Sequence, residues 1–202
     1  MRILIIDNHD SFVYNIIGVL RNICKQGAFS ETKWSVVLND DINLNEVGNY
    51  DALIISPGPG VPCEAGKMME VLNRYADSMP ILGICLGFQG IAEHFGARLQ
   101  QLPLPRHGHL SHLHGIDRSD PIMGGLTESS PVVGRYHSWI VDKDTLPNEL
   151  IATSFDEENH IMSLRHRDFA VFGTQFHPES IISDCGEHIL TAFLQVARNV
   201  NT

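Results

Sequence analysis

The 202-residue chain lacks any stretch near the roughly eighteen consecutive apolar residues that a membrane span needs. Only four apolar residues separate Met1-Arg2 from Asp7, too few for the core of a secretory signal. Basic residues are scarce: 14 Lys and Arg stand against 24 Asp and Glu, for a net charge of −10. Nucleic acid and anionic membrane both reward a basic face, so neither is expected as a partner, and a small molecule or another protein is. Cysteine is confined to Cys24, Cys63, Cys85 and Cys185, with no Cys-x-x-Cys pair. Reduced thiols and a cytoplasmic location are the expectation. No Pro/Gly/Ser-rich or charged linker, internal repeat or low-complexity tract divides the chain, which predicts one domain over residues 1–202.

What is present is the composition of a chain that builds a core, 43% hydrophobic and 19% charged. Arg2–Ile6 is an apolar run ending in Asp7-Asn8-His9-Asp10-Ser11, which reads as a buried strand, a turn and a helix N-cap. Phe12, Val13, Ile16, Ile17, Leu20 and Ile23 then recur at helical spacing. Trp34–Leu38, Ala52–Ser56 and Ile81–Cys85 read as further strands, and Ala65, Met68, Met69, Leu72 and Tyr75 as a helical stripe between the last two. Strand and helix in alternation predict an α/β fold with a parallel sheet covered on both faces, its ligand site at the carboxyl ends of the strands. From about Arg98 to Gln175, short β-like pieces between turns predict an appended antiparallel section. His188, Ile189, Ala192, Phe193 and Val196 mark a last helix.

At one such strand end stands Gly83-Ile84-Cys85-Leu86-Gly87, the glycine spacing of a nucleophile elbow with sulfur in place of oxygen. Such a turn strains its central residue and crowds its flanks, which explains both glycines. Unpaired N–H groups at the start of the following helix favour a thiolate. The plainer alternative is a buried cysteine at a Gly-containing strand end. Far along the chain, Phe176-His177-Pro178-Glu179-Ser180 offers a base. A residue before proline is pushed to extended backbone, and residues two apart then point the same way, so His177 and Glu179 project together. His177 would take the thiol proton and Glu179 would fix the imidazole tautomer; the alternative is a surface turn.

Ser56-Pro57-Gly58-Pro59-Gly60-Val61-Pro62 follows a strand but is no phosphate loop: the spacing to Gly66-Lys67 is one residue too long and Met68 stands where a hydroxyl is required. A rigid loop remains, whose Gly60 N–H could join the Leu86 N–H as an oxyanion hole, at roughly 3 kcal/mol per donor. A tight structural turn is the alternative.

These motifs, with Asp7-Asn8-His9-Asp10-Ser11-Phe12 and Arg135-Tyr136-His137-Ser138, resemble the class I glutamine amidotransferases with a Cys-His-Glu triad. The likeness spans nearly the whole chain. Its first and fourth segments are similar to the branch that feeds ammonia to chorismate-using enzymes, anthranilate synthase component II and its para-aminobenzoate counterpart. The resemblance implies a three-layer, flavodoxin-like open sheet flanked by helices. It implies Cys85, His177 and Glu179 as the triad, with L-glutamine held at Gly58, Pro59, Gly60, Leu86, Gln89, Ser138 and Trp139. It also implies a chorismate-binding synthase subunit as partner, and no cofactor on this chain. Gln89 lies one turn beyond Cys85 on the same helix face.

Three departures stand out: Phe88 where the family has His, Trp139 where it has Leu, and His107-Gly108-His109-Leu110-Ser111 in place of a His-Gly-Lys-Thr-Ser-like loop. Phe88 is expected to weaken the site or its coupling to a partner, and the loop to alter partner contact. The histidines from His107 to His114 invite a metal, but extended spacing puts 107 and 109 opposite 112 and 114 and no cysteine or carboxylate joins them, so none is expected. Two other functions stay open: a catalytically silent paralogue kept for partner contact, and a cysteine hydrolase of another γ-glutamyl compound. The Gly60–Gly66 segment looks slightly more like the anthranilate branch.

Overall fold

The computed structural model describes residues 1–25, 27–128 and 130–201. In chain order its elements are β1 (Arg2–Asp7), α1 (Val13–Ile23), β2 (Lys33–Leu38), α2 (Leu44–Val47), β3 (Ala52–Ile55), α3 (Met68–Tyr75), β4 (Ile81–Ile84) and α4 (Leu86–His94). There follow β5 (Leu99–Gln101), β6 (His109–His112), β7 (Val132–Arg135), β8 (Trp139–Val141), β9 (Leu150–Phe155), β10 (Ile161–His166), β11 (Val171–Thr174) and α5 (Gly186–Val200).

Seven strands form one sheet in the order β2-β1-β3-β4-β11-β10-β9. The first five run parallel, in the 2-1-3-4-5 order of flavodoxin-like folds, and β10 and β9 add an antiparallel edge. Alternation within the strands builds the layers. Ile3, Ile5, Ile54, Leu82, Ile84 and Phe172 face the helices α1 and α5, packing on Val13, Ile16, Leu20, Ile189 and Phe193. Leu4, Ile6, Leu53, Ile55, Ile81 and Val171 face the other way, against Met68, Val71, Leu72, Phe88 and Ile91 of α3 and α4. The parallel sheet and its two helical layers are those the strand–helix alternation predicts.

The appended section differs from expectation. Val171–Thr174 lies between β4 and β10, parallel to β4, rather than in an antiparallel extension. All four of its residues are buried, and a strand covered on both faces belongs inside a sheet. The remaining pieces split into two ribbons, β5 with β8 and β6 with β7. Phe12 also departs from its predicted core stripe: it is the residue before α1, and its ring turns to Tyr136 and His177 instead. Asp10 rather than Ser11 supplies the side-chain bond at this turn, its Oδ1 accepting from the Phe12 N–H at 2.8 Å.

Candidate functional site

Cys85 stands where β4 turns into α4, with φ 52° and ψ −97°. A non-glycine residue in that region costs about 1–3 kcal/mol, a strain that the surroundings must impose. They do so by contact: a Cβ on Gly83 would lie 2.5 Å from the backbone of Gly87, and one on Gly87 would lie 2.5 Å from the Ile55 carbonyl oxygen. The Cys85 N–H is held by the Thr174 carbonyl at 2.8 Å, and its own carbonyl accepts from Gln89 N at 3.0 Å. The thiol therefore sits at the positive end of α4, beside first-turn N–H groups that have no intrahelical acceptor.

The chain returns to this point through β11. Since β11 adjoins β4, the residues just past its end arrive beside the elbow. The His177 N–H bonds the Gly134 carbonyl at 3.0 Å. Its Nδ1 donates to Glu179 Oε1 at 2.8 Å, with both side chains buried. The rings of Phe12 and Tyr136 flank the imidazole, each with its centroid 4.9 Å away. That leaves Nε2, which meets no other nitrogen or oxygen, for the Cys85 sulfur. Burial alone would depress the His177 pKa, yet the thiolate of Cys85 and the carboxylate of Glu179 overcome it and raise the value to about 10. The arrangement is an imidazolium held between two anions.

Around Cys85 opens a cleft of about 310 Å³. Gly58, Pro59, Gly60, Gln89, Ser138 and Trp139 line it, so six of the seven predicted glutamine-holding residues are brought together with the nucleophile. Leu86 is the exception in its side chain, which is buried in the core below α4, so only its backbone is placed to serve the site. Phe88 does not face the cleft. It is fully buried, and a Cβ added to Gly173 would touch its ring at 3.0 Å, so it fills the space between α4 and β11. The expectation that Phe88 disturbs the chemistry is corrected accordingly. His107 reaches the rim of the cleft, whereas the His112 ring pairs with Glu157 at 3.2 Å on the surface. Among the described residues no group of three or more His, Cys, Asp or Glu is placed to hold a metal ion.

Sequence reasoning passed over several residues at this site. Tyr136 and His137 line the cleft. Gln175 directs its Nε2 at Cys85 Sγ from 3.7 Å. A signal for Gln175 existed: 175, 177 and 179 share the two-residue spacing that puts extended side chains on one side. The other three cysteines are free thiols away from this chemistry, and burial pushes Cys185 up to about 12.

The glutamine amidotransferase class-I family matches residues 4–197 of the chain. Aminodeoxychorismate synthase component 2 of Escherichia coli is 39% identical over 194 residues, covering 95% of this chain and 98% of its own. Aminodeoxychorismate/anthranilate synthase component 2 of Bacillus subtilis is 38% identical, covering 97% of each. A solved glutamine amidotransferase from Thermotoga maritima superposes with a TM-score of 0.76 over all of this chain and 99% of its own, at 15% identity, a likeness of fold.

Proposed function

The chain belongs to the glutamine amidotransferase class-I family, and we propose that it hydrolyses L-glutamine at Cys85 and delivers the ammonia to a chorismate-using synthase subunit. The observation that carries this is the placement of His177, bonded to Glu179 at 2.8 Å and turned by its other nitrogen to the Cys85 sulfur. The thiolate attacks the carboxamide carbon of glutamine. The C–N bond then breaks as His177 gives its proton to the departing nitrogen, which leaves as ammonia. Water attacks the γ-glutamyl thioester, His177 takes a proton from it, and the C–S bond electrons return to sulfur as glutamate departs.

Gly60 N–H and Leu86 N–H are the donors we assign to the oxyanion in both steps. Gly58, Pro59, Gln89, Ser138 and Trp139 hold the rest of the substrate. We infer one catalytic domain over residues 1–202, needing no cofactor of its own. We place it in the cytoplasm, where four free thiols stay reduced. Phe88, the one residue that favoured a silent paralogue, packs the core and gives that alternative no support. A partner seat is supported by a surface hollow beside α1, where Tyr14 and Ile181 are exposed and Glu179 lies at the floor.

Relatives carry both the anthranilate and the aminodeoxychorismate names. The test is to purify the chain with its natural synthase subunit, supply chorismate and glutamine, and identify the aromatic amine. Glutamate release that depends on Cys85 is expected and should vanish in Cys85→Ser. Release that persists in Cys85→Ser, or none in any pairing, contradicts the assignment.

A further inference from the structure

Behind the cleft, polar side chains form a continuous chain of hydrogen bonds whose directions are fixed by groups that can only donate or only accept. Arg135 in β7 is fully buried, and its guanidinium donates to Asp156 Oδ2, to Ser111 Oγ at 3.2 Å and through Nε to His137 Nε2 at 3.1 Å. An arginine only donates, so Nε2 is the accepting nitrogen of His137 and the ring proton sits on Nδ1. That proton goes to the Trp139 carbonyl, 2.9 Å away. Burial and the charge of Arg135 hold the His137 pKa well below the usual histidine range, in keeping with a neutral ring.

The Trp139 carbonyl only accepts, and it also takes Gln89 Nε2 at 2.9 Å. This settles which way round the Gln89 amide lies. The same Nε2 donates to Gln175 Oε1 at 3.3 Å, which leaves Gln89 Oε1 as an acceptor. It also settles Gln175: with Oε1 turned to Gln89, the Nε2 of this fully buried side chain points at Cys85 Sγ, 3.7 Å away.

We propose that Gln175 is a catalytic residue that donates an amide N–H to the Cys85 sulfur, and that Arg135, His137 and the Trp139 carbonyl are positioning groups that aim it through Gln89. The role it plays in turnover rests on the reading of Cys85 as the glutamine-cleaving nucleophile. An N–H at sulfur favours thiolate over thiol. In the second half-reaction water forms the new C–O bond, the C–S bond breaks and its electron pair returns to sulfur. The amide bond strengthens as that charge develops and so assists the departure of sulfur.

The test reads the sulfur directly. Iodoacetamide alkylation of Cys85 is followed by mass spectrometry of its peptide as a function of pH, with Cys63 in the same sample as an exposed reference. The titratable groups around the thiol are His177 with Glu179 behind it, His137 and Tyr136 between β7 and β8, and His107 at the rim. Gln175→Met removes the N–H while leaving every one of them in place. It should move the midpoint of the alkylation profile up by about one pH unit, and Gln175→Glu, which sets an acceptor against sulfur, by more. Gln89→Leu, which releases Gln175 from its orientation, should give a smaller shift in the same direction. A midpoint unchanged in Gln175→Met, in protein whose circular dichroism and melting match the parent, overturns the proposal. So does an unchanged midpoint in both Gln175 variants should one of them fail to fold and be rescued only at low temperature. Because iodoacetamide does not resemble glutamine, the shift is expected whether or not the chain hydrolyses glutamine, so the two readings fail separately.

Discussion

The two halves of the site are held by different physics. The nucleophile half, β3, β4 and α4, is apolar, and Cys85 is fixed by exclusion: Gly83 and Gly87 stand where no Cβ fits, and the backbone is forced to φ 52°. The half that carries the base, from β6 to the loop after β11, is held by satisfaction of buried polar groups. Arg135 and Asp156 are 1% and 0% exposed, Thr153 and Ser154 both bond Ser163 at 2.7 Å, and Glu179 is bonded to His177. An apolar wall tolerates no added atoms, whereas a polar network tolerates no missing partner. The site therefore has two distinct modes of failure, and they can be provoked separately.

The largest effect should come from the atom at which the halves meet. Cys85→Ala leaves both frameworks standing and should lower glutamate release by about 10⁴-fold or more, read in the complex with the synthase subunit. Next, the polar half should fail by loss of a partner. Arg135→Met leaves Asp156 charged and buried and should cost about 3–5 kcal/mol in urea unfolding. Adding Asp156→Asn, which keeps an acceptor for the Glu158 and His160 N–H groups, should recover part of that loss.

Gly186 sharpens the contrast because it is a steric constraint inside the polar half. A Cβ there would lie 1.7 Å from the Pro178 carbonyl oxygen, between His177 and Glu179. Gly186→Ala should therefore push the triad loop and lower kcat by about 10²-fold, more than its effect on the melting temperature would imply. Unchanged kcat with lowered stability would show that the loop relaxes without moving the imidazole.

The smallest effect is electrostatic. The His177 pKa is raised from 6.5 to about 10 in the folded chain, so its charge contributes stability that is fully present below pH 6.5 and is lost as pH rises through about 10. Cys85→Ala removes the strongest of the groups that raise it. Urea midpoints of the two proteins should therefore converge across that window, and an NMR titration of His177 should fall in the variant.

The apolar half was largely legible in the sequence. Its strands, the elbow glycines and the stripe of α1 follow from periodicity and from the steric demands of a tight turn. Phe12 escaped because an aromatic at helical spacing looks the same whether it faces the core or the imidazole. The polar half was read through His177 and Glu179, whose spacing around Pro178 is local. The rest depends on pairings over long separations: Gln89 meets Trp139 across 50 residues and Gln175 meets Cys85 across 90, and no pattern along the chain encodes either. The placement of Val171–Thr174 beside β4 was missed for a related reason, since four apolar residues do not state which strand they will join.

Covalent capture tests the central claim most directly. The chain in complex with its synthase subunit is mixed with L-glutamine, quenched in acid during turnover and digested for mass spectrometry. The peptide carrying Cys85 is predicted to gain one γ-glutamyl group, sensitive to hydroxylamine as a thioester is, and to show no gain in Cys85→Ala. Glutamate formed at the full rate while that peptide keeps its unmodified mass, or a γ-glutamyl group found on another residue, would contradict it.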